Sequence, residues 1–138
     1  MSDWNDQVIA DFNAGKEKIG GMFDKSALML LQTTGRRSGE KRVSPVAYFP
    51  DGDDLLIVAS KAGAHTHPSW YHNLLDNPQV SVQRWSGDTL ESFEATATPA
   101  EGEERDRLFA QIVARAPGFG DYQTKTSRVI PVVRLSRA

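Results

Sequence analysis

The chain contains no cysteine, which excludes disulfides, thiol nucleophiles and thiolate metal sites and fits a reducing compartment. No apolar run approaches the roughly 20 residues that a membrane-spanning helix needs. The opening segment, MSDWNDQVIADFNAGKEK, begins with acidic rather than basic residues and has no long apolar core, unlike a secretory leader. A cytoplasmic location is therefore expected. An excess of basic charge is missing too: the net charge is −2 over 138 residues, which argues against a nucleic-acid-binding domain. Repeats, linkers and low-complexity segments are absent. What remains is an ordinary globular composition, long enough to bury one core.

Against that acidic background one stretch is conspicuously basic. LLQTTGRRSGEKRVSP, residues 30–45, places Arg36, Arg37, Lys41 and Arg42 around Gly35 and Gly39. Four cations within seven residues repel one another unless an anion sits among them, and arginine forks suit phosphate and carboxylate. The alternative is a charged hairpin turn that is simply solvated. A P-loop is excluded, because Gly35 to Gly39 is one residue too short and Glu40-Lys41 replaces Gly-Lys-[Ser/Thr]. Ser38-Gly-Glu-Lys41 spells the S-x-x-K of penicillin-binding enzymes, but a glycine-flanked turn cannot provide the helical spacing that chemistry requires.

The rest of the chain reads as strands with a few helices. Trp4, Val8, Ile9 and Phe12 recur at helical spacing after Asp3, a candidate cap, and before Gly15. This predicts a helix over 4–14 lying on the core. Membrane or partner contact is the alternative reading of that helix, although Asp6 and Asp11 stand where lysines would be expected. Strands are predicted at 27–34, 42–49, 55–60, 80–85, 90–98 and 129–135. Pro45 demands an edge or a bulge in the second of these, and PDGDD marks a turn before the third. A helix is expected over 68–77 with Pro68 near its first position. Thr98-Pro-Ala-Glu101 reads as a capping box opening a helix whose stripe is Leu108, Phe109, Ile112, Val113 and Ala116. The segment GFGDYQTKTSR reads as a loop. Hairpin-like succession without βαβ alternation predicts a mainly β (α+β) fold, a small antiparallel barrel of six or seven strands with flanking helices.

His65, His67 and His72 match no metal-binding spacing, and no G-x-S-x-G elbow supports a Ser-His-Asp triad. No metal is expected. ASKAGAHTHPSWYHNL (59–74) carries a second anion signal: a strand end, Ser60-Lys61, a glycine-containing loop and a helix N-terminus. Two such elements in one small barrel suggest a long polyanionic ligand with a flat head against apolar strands.

Three blocks, LLQTTGRRSGEKRVSPV, LLIVASKAGAHTHPSWYHNLLDNPQVSVQ and GFGDYQTKTSRVIPVVRL, together resemble the deazaflavin (coenzyme F420)-dependent nitroreductase/quinone reductase family over roughly residues 26 to 135. The resemblance implies a split β-barrel of the FMN-binding type over 26–138, preceded by an N-terminal helix and connector over 1–25. It implies bound F420, whose phosphate and oligoglutamate tail Arg36, Arg37 and Arg42 would clamp, with Lys41 at the rim. Lys61 and Asn73 would meet the phosphate region. Pro45, Val46, Ala59, Ser60, Ser69 and Trp70 would line the deazaflavin ring. Tyr122 would reach the substrate side, and Ser60 or Tyr122 would donate to the acceptor's developing oxyanion. The implied reaction is hydride transfer from F420H2 to a small electron-poor acceptor: a quinone, an activated enone or lactone, or a nitroaromatic. Ala47 and Phe119 stand where family members active on bulky nitro compounds carry tyrosines, which favours quinone or enone reduction. An FMN- or FAD-binding barrel, or an F420 carrier without turnover, are the rival readings, and the oligomeric state is open.

Overall fold

The computed structural model describes residues 3–19, 23–24 and 28–137. An N-terminal helix, α1 (Asp3–Asn13), is followed by a two-stranded ribbon of β1 (Lys18–Ile19) and β2 (Phe23–Asp24). The remaining strands are β3 (Leu28–Thr34), β4 (Lys41–Ala47), β5 (Phe49–Asp51), β6 (Asp54–Val58), β7 (Gln79–Ser86), β8 (Thr89–Pro99) and β9 (Val132–Arg137). They form one seven-stranded antiparallel sheet in the order β4-β3-β7-β8-β9-β6-β5. The sheet curls around a core and leaves β4 and β5 as its free edges. This is the expected barrel with one side open.

Strand alternation explains why β3 and β6 read as unbroken apolar runs. Met29 and Leu31 of β3, with Leu55 and Ile57 of β6, point into the central core with Val82, Ala95 and Val133. Leu28 and Leu30 point outward onto Val8 and Phe12 of α1. Leu56 and Val58 point outward onto Leu108 and Ile112 of α3 (Gly102–Arg115). Both faces of these strands are covered, so alternation has nothing polar to show. On β8, one face is solvated and the pattern is plain: Ala95 and Ala97 are buried while Glu94 and Thr98 are exposed.

The apolar stripe of α1 is spent on the sheet. Val8 and Phe12 are fully buried, and Trp85 Nε1 donates to the Phe12 carbonyl at 3.0 Å. The Asp3 cap and the Trp4 contact fall on side chains outside the described residues. Among the described residues no helix is long and apolar enough to cross a membrane.

Pro45 lies on an edge strand, as expected. Gly35 N–H donates to the Glu40 carbonyl at 2.7 Å, and counting alternately from there makes Arg42, Ser44 and Val46 the residues bonded to β3. Pro45 therefore falls where its missing N–H would point away from the sheet.

Three expectations need correction. Thr98 caps no helix: it stays in β8, paired with Arg134, and α3 starts three residues later behind Glu101, without a side-chain cap bond. The segment read as a loop contains a helix, α4 (Gly118–Thr124). Its glycines hid it; contacts hold it, Phe119 edge-on to Phe49 at 5.8 Å and Gly120 close against Val113. The last strand begins at Val132, not 129, because the chain before it is engaged elsewhere: Gln123 bonds Ile130 N–H and the Arg128 carbonyl.

Candidate active site

The basic loop between β3 and β4 is a tight, fixed turn. Gly39, at φ +74°, donates its N–H to the Gly35 carbonyl at 2.8 Å. A side chain at Gly35 would stand 2.9 Å from Ser38 Oγ and 3.2 Å from the Glu40 carbonyl, so it would crowd the turn. The loop is pinned to α2 (Ser69–Asp76) by the buried Asn73: its Oδ1 accepts from Arg36 N–H at 3.1 Å and its Nδ2 donates to Thr33 Oγ1 at 3.2 Å.

These anchors leave the guanidinium groups on the exposed side of the loop. Among the described residues neither Arg36 nor Arg37 has an ion-pair partner. Arg42 makes one loose contact, 3.5 Å to Glu40, with both side chains largely exposed. Lys41 is exposed, and its Nζ donates to Thr34 Oγ1 at 3.0 Å.

The second wall comes from the chain after β6. Ser60 is buried, and no hydrogen bond among the described residues engages its hydroxyl. Lys61 opens a 3-10 turn, Lys61–Gly63, with its backbone at φ +46°, a left-handed conformation uncommon for a side-chain-bearing residue. Gly63, at φ +83°, lies under α4 so closely that an added Cβ would be 2.9 Å from the Tyr122 carbonyl and 3.0 Å from Lys125 Cβ. That close approach packs α4, which carries Phe119 and Tyr122, against the Lys61–Gly63 turn. The two rings meet edge-on at 5.7 Å, and the Lys125 ammonium lies 5.6 Å from the Tyr122 ring centroid.

Between these walls lies a cavity of about 1080 Å³, at the upper end of the usual ligand-pocket range. It runs along the free edge of β4, from Val43 to Ala47, in the gap facing Val58 and Ser60. Arg36, Arg37 and Arg42 line one end and Lys61 another wall. Trp70, Val46, Pro45 and Leu28 supply apolar surface, and Ser69 and Asn73 come from α2. No aspartate or glutamate is among the described lining residues. A chain of net charge −2 thus puts, among the described residues, four cations and no carboxylate around this cavity.

Of the residues expected at a site, the cavity brings together all but two. Ala59 is fully buried in the core, and Lys41 does not line the cavity. His72 and Ser44 also line it and were missed. Ser44 belongs to the free-edge strand, and Pro45 was the signal available for it. Among the described residues no group of three or more His, Asp or Glu is placed as a metal-ligand cluster.

Comparison with known proteins bears on the family and the fold. The family model for F420H2-dependent quinone reductases matches residues 5–136. An F420H2-dependent quinone reductase of Mycobacterium tuberculosis is 42% identical over 113 residues, covering 79% of this chain and 72% of its own. A solved F420-H2-dependent reductase, FDR-A, superposes with a TM-score of 0.68 at 41% identity, covering 80% of this chain and 94% of that one. A second solved chain, described as a domain-swapped dimer, gives 0.71 at 36% identity, with 93% and 94% covered. A match of that extent, on a half-open barrel with a cationic seam, means that the chain belongs to the F420H2-dependent quinone reductase family.

Proposed function

We propose that the seam between β4 and the Ser60–Gly63 turn holds coenzyme F420, and that the chain uses its reduced form to reduce a quinone-like acceptor. The observation that carries this reading is the lining: four cations without a carboxylate at the ends, and apolar surface between. Such a donor set suits a ligand with several anionic groups at one end and a flat ring at the other. Arg36, Arg37 and Arg42 would hold the tail carboxylates, with Lys41 from the rim. Lys61 would meet the phosphate beside the N-terminal N–H groups of α2, and Asn73 would hold the loop that presents Arg36. Pro45, Val46, Ser69 and Trp70 would flank the ring, while Ala59 would contribute through the backbone it fixes behind Ser60.

When bound, the reduced deazaflavin supplies a hydride to an electron-poor acceptor. The protein's part is orientation, exclusion of water and a hydrogen-bond donor for the acceptor oxygen. Tyr122, whose hydroxyl is free of hydrogen bonds among the described residues, is assigned that donor role, with Ser60, on the same wall of the cavity, as the alternative donor. Phe119 and Ala47 make the acceptor wall apolar, which favours a quinone or enone over a bulky nitro compound. The buried face of α1 is already occupied, so any peripheral membrane contact would have to use its exposed side. The domain-swapped relative supports self-association of this chain, to be measured by sedimentation.

Titration with F420, FMN and FAD by tryptophan fluorescence tests the reading. Trp70 lines the cavity whereas Trp85 packs on Phe12 at 6.1 Å between ring centroids, so Trp70→Phe assigns the signal. Quenching by F420 alone, lost in that variant, is expected. Quenching only by a flavin would replace the cofactor. Binding of F420 without faster oxidation of F420H2 by quinones would make the chain a carrier.

A further inference from the structure

Arg128 is not a cavity-lining residue, yet it makes four hydrogen bonds just behind the cavity wall. Nε donates to the Ala64 carbonyl at 2.8 Å, Nη2 to the Ser60 carbonyl at 2.8 Å and Nη1 to the Ala59 carbonyl at 3.2 Å. Nη1 also meets His67 Nδ1 at 2.8 Å. Among the described residues every partner is neutral, and burial lowers the Arg128 pKa from its ordinary value. A half-buried guanidinium without a carboxylate is unusual, since charge pairing is the ordinary way to offset its desolvation.

The four bonds span the turn that forms the second wall. Ala59 and Ser60 precede it, Ala64 follows it, and between them lie Lys61 at φ +46° and the tightly approached Gly63. Backbone held in a sparsely populated region persists only where its surroundings over-determine it, and such residues gather at ligand clamps. Arg128 is itself anchored: its N–H meets Thr126 Oγ1 at 3.3 Å, and its carbonyl accepts from Gln123 of α4 at 2.8 Å.

We propose that Arg128 is a positioning residue that holds the Ser60–Ala64 turn in shape for the anionic cofactor, and that protonation of His67 loosens its grip. The inference rests on the F420 reading of the cavity. With Arg128 donating to Nδ1, the neutral His67 carries its proton on Nε2. A second proton, on Nδ1, would set a donor against a donor and a cation against a cation.

Burial and two neighbouring groups oppose that proton. Burial first, then the Arg128 charge, then His72 lower its pKa from the ordinary 6.5. Tyr71 and His72 of α2 face it with ring centroids at 4.8 and 5.7 Å, and Lys61 on its own loop donates to the neighbouring Thr66 at 3.4 Å. The gripped state therefore binds fewer protons than the loosened one. Its advantage is complete above pH 6.5 and declines as pH falls through that value toward the lowered pKa.

Two measurements test this: F420 affinity between about pH 8 and about pH 5, and the His67 ring titration by NMR in the cofactor-free protein. Wild-type affinity should fall with acidification by up to roughly tenfold per pH unit through the His67 transition. His67→Asn keeps an acceptor that does not titrate and should flatten that dependence. In Arg128→Gln the His67 pKa should rise toward its ordinary value, and affinity at about pH 8 should drop about tenfold, as expected for lost charge-assisted bonds. Affinity that is constant or rises on acidification, or a His67 titration unmoved in Arg128→Gln, overturns the inference. If Arg128→Gln does not fold, the wild-type and His67→Asn profiles decide alone. Failure of the wild type to bind F420 at about pH 8 would instead sink the cofactor reading, while the NMR titration still judges whether Arg128 grips His67.

Discussion

Replacing Arg36 and Arg37 together with alanine removes two of the four cations lining the cavity and leaves the loop's anchors intact, because the bond to Asn73 uses the Arg36 backbone N–H. Both side chains are exposed and lack ion-pair partners among the described residues. Folding stability should therefore change by less than about 0.5 kcal/mol. Exposed ion pairs contribute about 0.2–1 kcal/mol, and hydrogen bonds to charged groups about 1.5–3 kcal/mol. Roughly 1 kcal/mol for each arginine gives about 2 kcal/mol, or about thirtyfold in Kd for F420 with its full glutamate tail. Fluorescence titration measures it, and a deazaflavin stripped of glutamates supplies the control. For that shortened ligand the double variant should lose far less, the difference being the coupling between arginines and tail. Added salt should weaken wild-type binding more than the variant's. An equal loss for both ligands, or none for the long-tailed one, would refute the clamp.

Phe12→Ala should cost about 3–5 kcal/mol in denaturant unfolding, since Phe12 is fully buried under the sheet; a negligible cost would mean that α1 does not dock in solution. Gly63→Ala should destabilise the fold by about 1–3 kcal/mol and weaken F420 binding, because its Cβ would collide with the Tyr122 carbonyl. Thermal melts and the same titration check this. Tyr122→Phe should lower the quinone-reductase kcat by about a hundredfold while leaving F420 affinity within about twofold. Equal losses in both would recast Tyr122 as a cofactor contact.

The parts of the fold written in local pattern were legible. Alternation in β8, the proline of β4 and the Asp-Gly turn before β6 each reflect a constraint felt by a few consecutive residues. What escaped depends on distant partners. GFGDYQT has two glycines, and a helix there is sensible only once Phe49, Val113 and Gly63 surround it. Thr98-Pro-Ala-Glu101 has the form of a capping box, but pairing with β9 outweighed it. For the site, the arginines were conspicuous because charge density is local. Arg128 was not, because nothing near it in the chain says that it will reach back more than 60 residues to Ala59, Ser60 and Ala64.

The cavity and the barrel's open seam are one feature. A free sheet edge is a liability, offering unpaired N–H and C=O groups to any passing strand. On β4 the alternation that turns Arg42, Ser44 and Val46 toward β3 turns the backbone groups of Val43 and Ala47, and the Pro45 carbonyl, into the gap. Pro45 deletes one donor from that edge, and the cationic loop at its start discourages a second basic edge from docking. A ligand lying along Val43 to Ala47 would cover the rest. Closing the barrel by pairing the β4 edge across the seam would bury the edge equally well but abolish the cavity. The proline, the arginines and the strained turn at Lys61 therefore belong to one solution: they keep the seam open and make it attractive to a long, flat anion.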